Sequence, residues 1–467
     1  MKIVIVGAGS VGFQLANNLI EENNDVVLIE KDADRAKYAM NSLDCLVING
    51  EGNNPEILKE AGINKAEFFI SVTDSDEVNM IVCGLVSSEF MVPYKIARVR
   101  KVDYSGRFML QKSFLGIDYI VNPEIEAARA ITRIIDYGAV SDIMLFEETK
   151  SQMRNITVRN GSLLVNRSIE EIKHLIEEEF LIALILRDND YIIPSGDMVI
   201  RENDKLYLIA TDDSFERIFN ILGRKKMKLN KILLAGGGKV GYHIASHLLQ
   251  KNDETNVLSK ISGFFTKKQR RRITIIDKNY EKCKFLSEQF PGAMVINSDI
   301  SDENLFEDAQ LANYDSIVAA TDNEELNLVT AIYAKTRGIK RTIALVKKNS
   351  YVHIGTDLGI DVTISQKTSV VNTILKFIRR GNIKSVHSLS GGMVEVIEFS
   401  VENGSKADGK TIKELKLPYH TLIVSITRGK ESIIPSGDHT IRSGDNLIVI
   451  AKKEHMKKVE DLFTIPT

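Results

Sequence analysis

The chain has 467 residues, 43% hydrophobic and 27% charged, which is the usage of an ordinary globular protein. Lys and Arg number 61 against 63 Asp and Glu, a net charge of −2, so no overall field draws the chain to nucleic acid or to acidic lipid. Three isolated cysteines, Cys45, Cys83 and Cys283, exclude a disulfide framework and a cysteine-built zinc site and fit a reducing cytosol. No apolar run reaches the ~18 residues of a spanning helix, and the strand-like residues 2–6 leave no room for a signal peptide.

At roughly 150 residues per domain the length suggests about three folding units. In chain order, β-branched runs at 3–6, 26–30, 46–48, 68–72, 96–99 and 119–121 predict strands. Residues 11–22, 33–42, 55–61 and 76–89 carry helical spacing of apolar residues. That alternation predicts βαβ units in a doubly wound parallel sheet. Past residue 140 the rhythm changes: strands are expected at 153–158, 180–187, 191–193 and 205–210, with helices only at 169–175 and 214–222, a small α+β module. The basic stretch 223–231 reads as a solvated linker. Parallel-sheet segments then return from 232 to about 362, followed by strands at 393–399, 421–427 and 446–451.

The chain is thus one design written twice. IVIVGAGSVG at 3–12 is answered by ILLAGGGKVG at 232–241. Thr73-Asp74-Ser75-Asp76-Glu77-Val78-Asn79 is echoed by Thr321-Asp322-Asn323-Glu324-Glu325-Leu326-Asn327, and IIPSGD at 192–197 recurs unchanged at 433–438. The second copy carries an extra basic segment near 251–272, expected as a solvated surface loop, with docking to an acidic partner or an anionic membrane as the sharper reading.

Gly7-Ala8-Gly9-Ser10-Val11-Gly12 follows a strand and opens a helix, the dinucleotide-binding spacing. Gly7 makes the turn, Gly9 lets a diphosphate approach the backbone, Gly12 lets helix pack on strand, and the helix N-terminus faces the phosphates. Glu30, followed by Lys31, ends the second strand at the ribose-binding position. The second copy supplies Gly236, Gly238, Lys239, Val240, Gly241 and the strand-end Asp277. An acid there favours NAD(H), or another adenosine diphosphate moiety, over NADP. Arg98, at a strand end where the second copy has Leu345, is a candidate phosphate ligand, against the plainer reading of a surface arginine paired with an acid. His243 and His247 have the spacing of a metal pair but lack the glutamate of HExxH, so a structural role is expected and no metal. Neither a nucleophile elbow nor a Walker A sequence occurs, and no catalytic residue is assigned.

Two such sheets, each with a strand-3 loop (Asn49-Gly50-Glu51, Asn297-Ser298-Asp299), a TDx[DE]ExN segment and a PSGD module, resemble the TrkA family of tandem RCK domains. The resemblance covers essentially the whole chain. It implies nucleotide-binding lobes at 1–122 and 229–366 and C-terminal lobes at 140–222 and 384–467. It also implies a regulatory subunit, not an enzyme, that binds NAD(H) and, as further candidates, ATP or ADP. Such subunits assemble as rings, here expected to be tetrameric, on the cytoplasmic face of the membrane under a potassium-translocating subunit of the TrkH or TrkG type. Carried onto this chain, Gly7, Gly9 and Gly12 hold the diphosphate, Glu30 the ribose, Thr73 and Asp74 face the ligand, and Arg98 contacts phosphate. The second site uses Gly236, Gly238, Gly241, Asp277, Asp299, Thr321 and Asp322. Segments 124–137 and 369–380 are expected to be inter-lobe crossover helices. The rival class is an NAD-dependent oxidoreductase of a small metabolite, and a third reading is a soluble redox sensor without a channel partner.

Overall fold

The computed structural model describes all residues except 102–113, 138–142, 147–148, 150, 189, 223–228, 260–270, 303–304, 306–312, 379–382, 390–392, 430 and 466–467. The chain begins with β1 (Lys2–Val6), α1 (Ser10–Glu21), β2 (Asp25–Glu30), α2 (Ala33–Ser42), β3 (Leu46–Asn49), α3 (Pro55–Glu60) and β4 (Phe68–Ser71). It continues through α4 (Asp76–Glu89), β5 (Tyr94–Arg98), β6 (Tyr119–Val121) and α5 (Pro123–Tyr137). A smaller group follows: β7 (Ile143–Leu145), β8 (Ser151–Thr157), α6 (Ile169–Leu175), β9 (Leu181–Arg187), β10 (Asp190–Ile192), β11 (Lys205–Thr211) and α7 (Asp212–Ile221). The second copy runs β12 (Lys231–Ala235), α8 (Lys239–Ser259), β13 (Arg272–Asp277), α9 (Tyr280–Gln289), β14 (Met294–Asn297) and β15 (Ser316–Ala319). Then come α10 (Glu324–Thr336), β16 (Arg341–Val346), α11 (Ser350–Asp357), β17 (Val362–Ser365) and α12 (Gln366–Ile378). The last group is β18 (Ile383–Leu389), β19 (Val394–Ser400), β20 (Thr421–Arg428), β21 (Glu431–Ile433), β22 (Asn446–Lys452) and α13 (Met456–Phe463).

Contacts divide the chain into two units, one of 1–136 with 228–378 and one of 137–227 with 379–467. In the first unit each copy forms a parallel sheet, ordered β3-β2-β1-β4-β5-β6 and β14-β13-β12-β15-β16-β17 among the described residues. Both faces are covered, which is why β1 is apolar at every position from Ile3 to Val6. Ile3 and Ile5 pack with Leu15 and Leu19 of α1 and Ala36 of α2, while Val4 and Val6 pack with Leu58 of α3 and Val82 and Val86 of α4. Each buried aliphatic side chain contributes about 1.5–3 kcal/mol. The chain order reverses between β1 and β4, the point where such sheets open a crevice at their carboxyl ends.

The two copies exchange their last helices. Val370, Val371 and Ile374 of α12 join the core of the first sheet beside Leu15, and the Phe377 ring stacks on Tyr119 with centroids 4.7 Å apart. In return, Asp136 at the end of α5 pairs with Arg271 of the second copy at 2.5 Å.

Among the described residues the second unit holds two antiparallel sheets, β10-β9-β11-β8-β7 and β18-β19-β22-β20-β21. Alternation decides which side chains go where. Tyr207 and Ile209 of β11 share a core with Val396 of β19 and Ile448 and Ile450 of β22, while Leu206 and Leu208 face Ile172 of α6 and Phe215 of α7. Leu447 and Val449 turn the other way, to Val459 and Phe463 of α13.

The parallel sheets and the α+β modules agree with the fold expected from the sequence. The insertion is a correction in part: α8 continues to Ser259, so its first residues extend a helix rather than form a loop, and 260–270 lies outside the described residues. Leu229 in the expected linker is buried, and its carboxyl-side neighbour Asn230 is tied to Asp315. Elements β7, β18, β21, α11 and α13 are additional to the expected ones. Among the described residues no helix is long and apolar enough to cross a membrane.

Candidate functional site

Each glycine turn lies at the switch point of its sheet. Gly7 and Gly236 have φ of +103° and +109°, in the region that favours glycine. A Cβ on Gly12 would stand 1.8 Å from the Gly7 carbonyl oxygen, and one on Gly241 2.1 Å from that of Gly236, so helix and turn touch only because these residues lack side chains. Gly9 and Gly238 differ. The backbone of Gly9 is extended, φ −65° and ψ −175°, and among the described residues its Cβ would meet only Arg35 Nη1, at 4.0 Å; a Cβ on Gly238 would meet no described atom within 4 Å. The fold itself does not require glycine at the middle position, and the space left there fits the close approach of a diphosphate. Helix α1 also has no side-chain cap, whereas Asp32, Asn54 and Ser75 cap α2, α3 and α4. Its first N–H groups are left for an anion.

Glu30 is buried and shapes the turn: its carboxylate accepts from Ala8 N–H at 2.6 Å and from Asp32 N–H at 3.0 Å. Asp277 does the same in the second copy, accepting from Gly237 N–H and Asn279 N–H, each at 2.8 Å. Lys31 is exposed, and its carbonyl accepts from Asn49. Asp299 is exposed and accepts from the Ser301 N–H and hydroxyl, which hold its carboxyl below the usual carboxylate range.

Thr73 and Thr321 are fixed by an asparagine one helical turn into α4 or α10. Asn79 accepts from Thr73 N–H and Oγ1 at 2.8 and 2.7 Å and donates to the carbonyls of Thr73 and Arg98. Asn327 repeats the arrangement with Thr321 and Leu345. These buried clamps tie the end of the central strand to its neighbour. The repeated TDx[DE]ExN segment was their signal, and the sequence reading gave them no role. Asp76 and Glu324 add a second tie, accepting from the N–H groups of Arg100 and Lys101 and of Lys347 and Lys348 respectively.

Asp74 stands exposed over the first turn between Arg35, at 3.8 Å, and Arg98, at 3.6 Å. Arg98 is mostly buried, and burial, followed by the nearby Arg100, lowers its pKa. The second turn opens into a cavity of about 890 Å³ within the first unit. Of the residues singled out from the sequence, Gly238, Lys239, Val240, Thr321 and Asp322 line it from the second copy and Ser10, Val11 and Arg98 from the first. Gly7, Gly9, Gly12, Glu30, Lys31, Thr73, Asp74, Gly236, Gly241, Asp277 and Asp299 do not. Arg100, Glu124, His243, Lys347 and Lys367 line the cavity and were not identified from sequence as ligand-facing. His247 lies one turn on from His243, 3.7 Å from Asp136.

The fold and these turns define a class: tandem Rossmann-type nucleotide-binding lobes, each followed by a small α+β lobe. Residues 3–123 and 232–366 match the TrkA-N domain, and 153–223 and 396–464 match the TrkA-C domain. The chain is 31% identical to the Trk system potassium uptake protein TrkA of Halomonas elongata, over 100% of this chain and 99% of the other. It is also 31% identical to TrkA homolog 1 of Methanosarcina mazei, over 99% of this chain and 100% of the other. Among solved structures, the GsuK RCK domain is similar with a TM-score of 0.56 at 18% identity, covering 99% of this chain and 94% of that one. The GsuK channel bound to NAD is similar at 0.56 and 17%, covering 99% and 78%. The chain belongs to the family of paired TrkA-N and TrkA-C domains.

Proposed function

We propose that the chain is the nucleotide-binding regulatory subunit of a Trk-type potassium uptake system, controlling a transmembrane potassium-translocating subunit. The observation that carries the nucleotide half of this reading is the middle glycine of each turn, open at a helix N-terminus where the fold has no use for a missing side chain. The potassium half is supported by similarity over the full length to TrkA proteins.

The bound group is NAD(H), with ATP or ADP as alternatives, and it supplies negative charge and a shape that differs between its forms. Gly7, Gly9, Gly12 and the first turn of α1 hold its diphosphate. Glu30 keeps the turn in register and, with lone pairs to spare, accepts from a ribose hydroxyl. Asp74 and Arg98 face the ligand over Thr73. In the second copy Gly236, Gly238, Gly241, Asp277, Thr321 and Asp322 play the corresponding parts, with Lys239 adding a cation.

The chain acts by binding rather than by turnover. Forms of the nucleotide that contact the two lobes differently shift their equilibrium, and only that difference moves a partner. Exchange of α5 and α12 between copies gives such a shift a mechanical route. In the assembly, a homo-oligomeric ring, a tetramer in this reading, sits on the cytoplasmic face of the membrane beneath a TrkH- or TrkG-type subunit. The test is calorimetric titration with NADH, NAD, ATP and ADP, paired with co-purification and potassium flux. Nucleotide binding with nucleotide-dependent flux supports the proposal. Absence of binding, or steady oxidation of NADH with a metabolite, refutes it.

A further inference from the structure

Among the described residues Arg98 Nε, Glu124 Oε2 and His243 Nε2 are buried without a hydrogen-bond partner, and all three residues line the cavity between the two copies. A buried polar atom without a partner carries its full desolvation penalty, so three around one space indicate something that completes them. Arg98 and Glu124 belong to the first copy. His243 belongs to the second, on the helix whose N-terminus reaches the same space through Gly238 and Lys239.

The walls decide the sign of what fits. Arg98 and Arg100 of the first copy line the cavity, with Lys239, Lys282, Lys347 and Lys367 of the second. Among the described residues the lining acids are fewer: Glu124, Asp322 and Glu324, and Glu324 already serves the N–H groups of Lys347 and Lys348. Burial lowers the pKa of both Arg98 and Lys367, so an anion beside them relieves a cost.

We propose that this cavity is a composite phosphate site, in which Arg98 of the first copy and His243 of the second together grip the polyphosphate of a nucleotide seated on the second glycine turn, with His243 taking up a proton as the anion binds. The inference rests on the nucleotide-binding reading above.

The groups facing His243 set the direction of the linkage. Burial, then Arg129 of α5 and Lys239 one turn earlier on its own helix, hold its imidazole below the ordinary value. Arg98 and Arg100 share the cavity, Tyr242 lies edge-on to the ring, and the His247–Asp136 pair follows one turn on. A phosphate reverses the local charge and raises the imidazole pKa, so affinity increases as pH falls. Glu124, whose carboxyl burial raises against the pull of Lys239, Arg100 and Arg98, responds in the same direction. The histidine contribution is therefore isolated by substitution.

The experiment uses the full chain carrying Gly9→Asp, so that only the second turn is read. ATP, inorganic tripolyphosphate and adenosine are titrated calorimetrically in two buffers of different ionisation enthalpy, from pH 6 to 8. Net proton uptake with ATP and tripolyphosphate, and none with adenosine, is expected. ATP binding tighter than tripolyphosphate identifies a nucleotide as the source, and equal binding identifies a free polyphosphate. His243→Gln should reduce the uptake and flatten the pH dependence, while His243→Lys should keep affinity with the same flattened pH dependence, the remainder belonging to Glu124. Arg98→Ala should weaken both anions about tenfold to a hundredfold and leave adenosine unchanged. Matching thermal midpoints show that the variants fold. ATP binding with no buffer dependence, or with proton uptake that His243→Gln leaves unchanged, overturns the composite site and leaves the nucleotide reading intact. No nucleotide binding to the unsubstituted chain overturns both.

Discussion

The three glycines of the first turn should separate stability from binding when each is replaced. Gly12→Ala puts a Cβ 1.8 Å from the Gly7 carbonyl oxygen, far inside contact distance, so α1 must move off the turn. Overpacking of this kind costs about 1–3 kcal/mol, and the thermal midpoint should fall. Gly9→Ala meets no atom closer than 4.0 Å, and its φ of −65° is one any residue adopts. The reduced entropy of the unfolded chain and the poorer helix cap offset each other to within about 1 kcal/mol, so stability should hold. Gly9→Asp adds a charge at the same open position. One unit charge against another at ~4 Å and an effective dielectric of ~20 is worth about 4 kcal/mol, or nearly three orders of magnitude in Kd. Calorimetry with NADH in a Gly238→Asp background reads the first site alone, and thermal melts read the fold. If Gly9→Asp melts as early as Gly12→Ala, or binds NADH as the parent does, the space at Gly9 is not a diphosphate cradle.

Asn79→Ala strips partners from Ser71, Thr73 and the Arg98 carbonyl at a fully buried site, and about 1–3 kcal/mol per unsatisfied group should appear as a lower urea midpoint. In the first small lobe, burial pushes the Asp204 carboxyl up, but Arg187 and the Arg201 N–H outweigh it and hold it below the usual carboxylate range. Its stabilisation is therefore present above pH ~3.9 and lost as pH falls through the lower folded value. Asp204→Asn should cost about 3–5 kcal/mol at neutral pH and progressively less in an acid titration. Cys83 is fully buried and its thiol is pushed up, while Cys45 is pushed up to about 11 by burial and then Asp44. A maleimide at pH 7.5 should label Cys45 slowly and leave Cys83 untouched until denaturant is added; rapid labelling of Cys83 would contradict its packing.

Much of the fold was legible because its signals are local. The unbroken apolar run of β1 and the alternation along β11 follow from sheets covered on two faces, and each is visible within a few residues. The unforeseen α13 also has a local cause, since Met456, Val459 and Phe463 fall on one helical face. Strand β7 is only three residues long, too short to show a period, and the apolar residues of β18 (Ile383, Val386, Leu389) recur at every third position instead of every second.

The sequence by itself determined the duplication, the glycine turns and the acid closing each second strand, because chain geometry at a turn demands those residue types at fixed spacing. Only tertiary structure decided that Glu30 and Asp277 spend their carboxylates on the turns, and that Asn79 and Asn327 clamp the neighbouring strands. It alone brought Arg98, Glu124, His243 and Lys367 around one cavity. These residues are far apart in sequence and meet through the packing of one copy on the other, a long-range arrangement that no local spacing encodes.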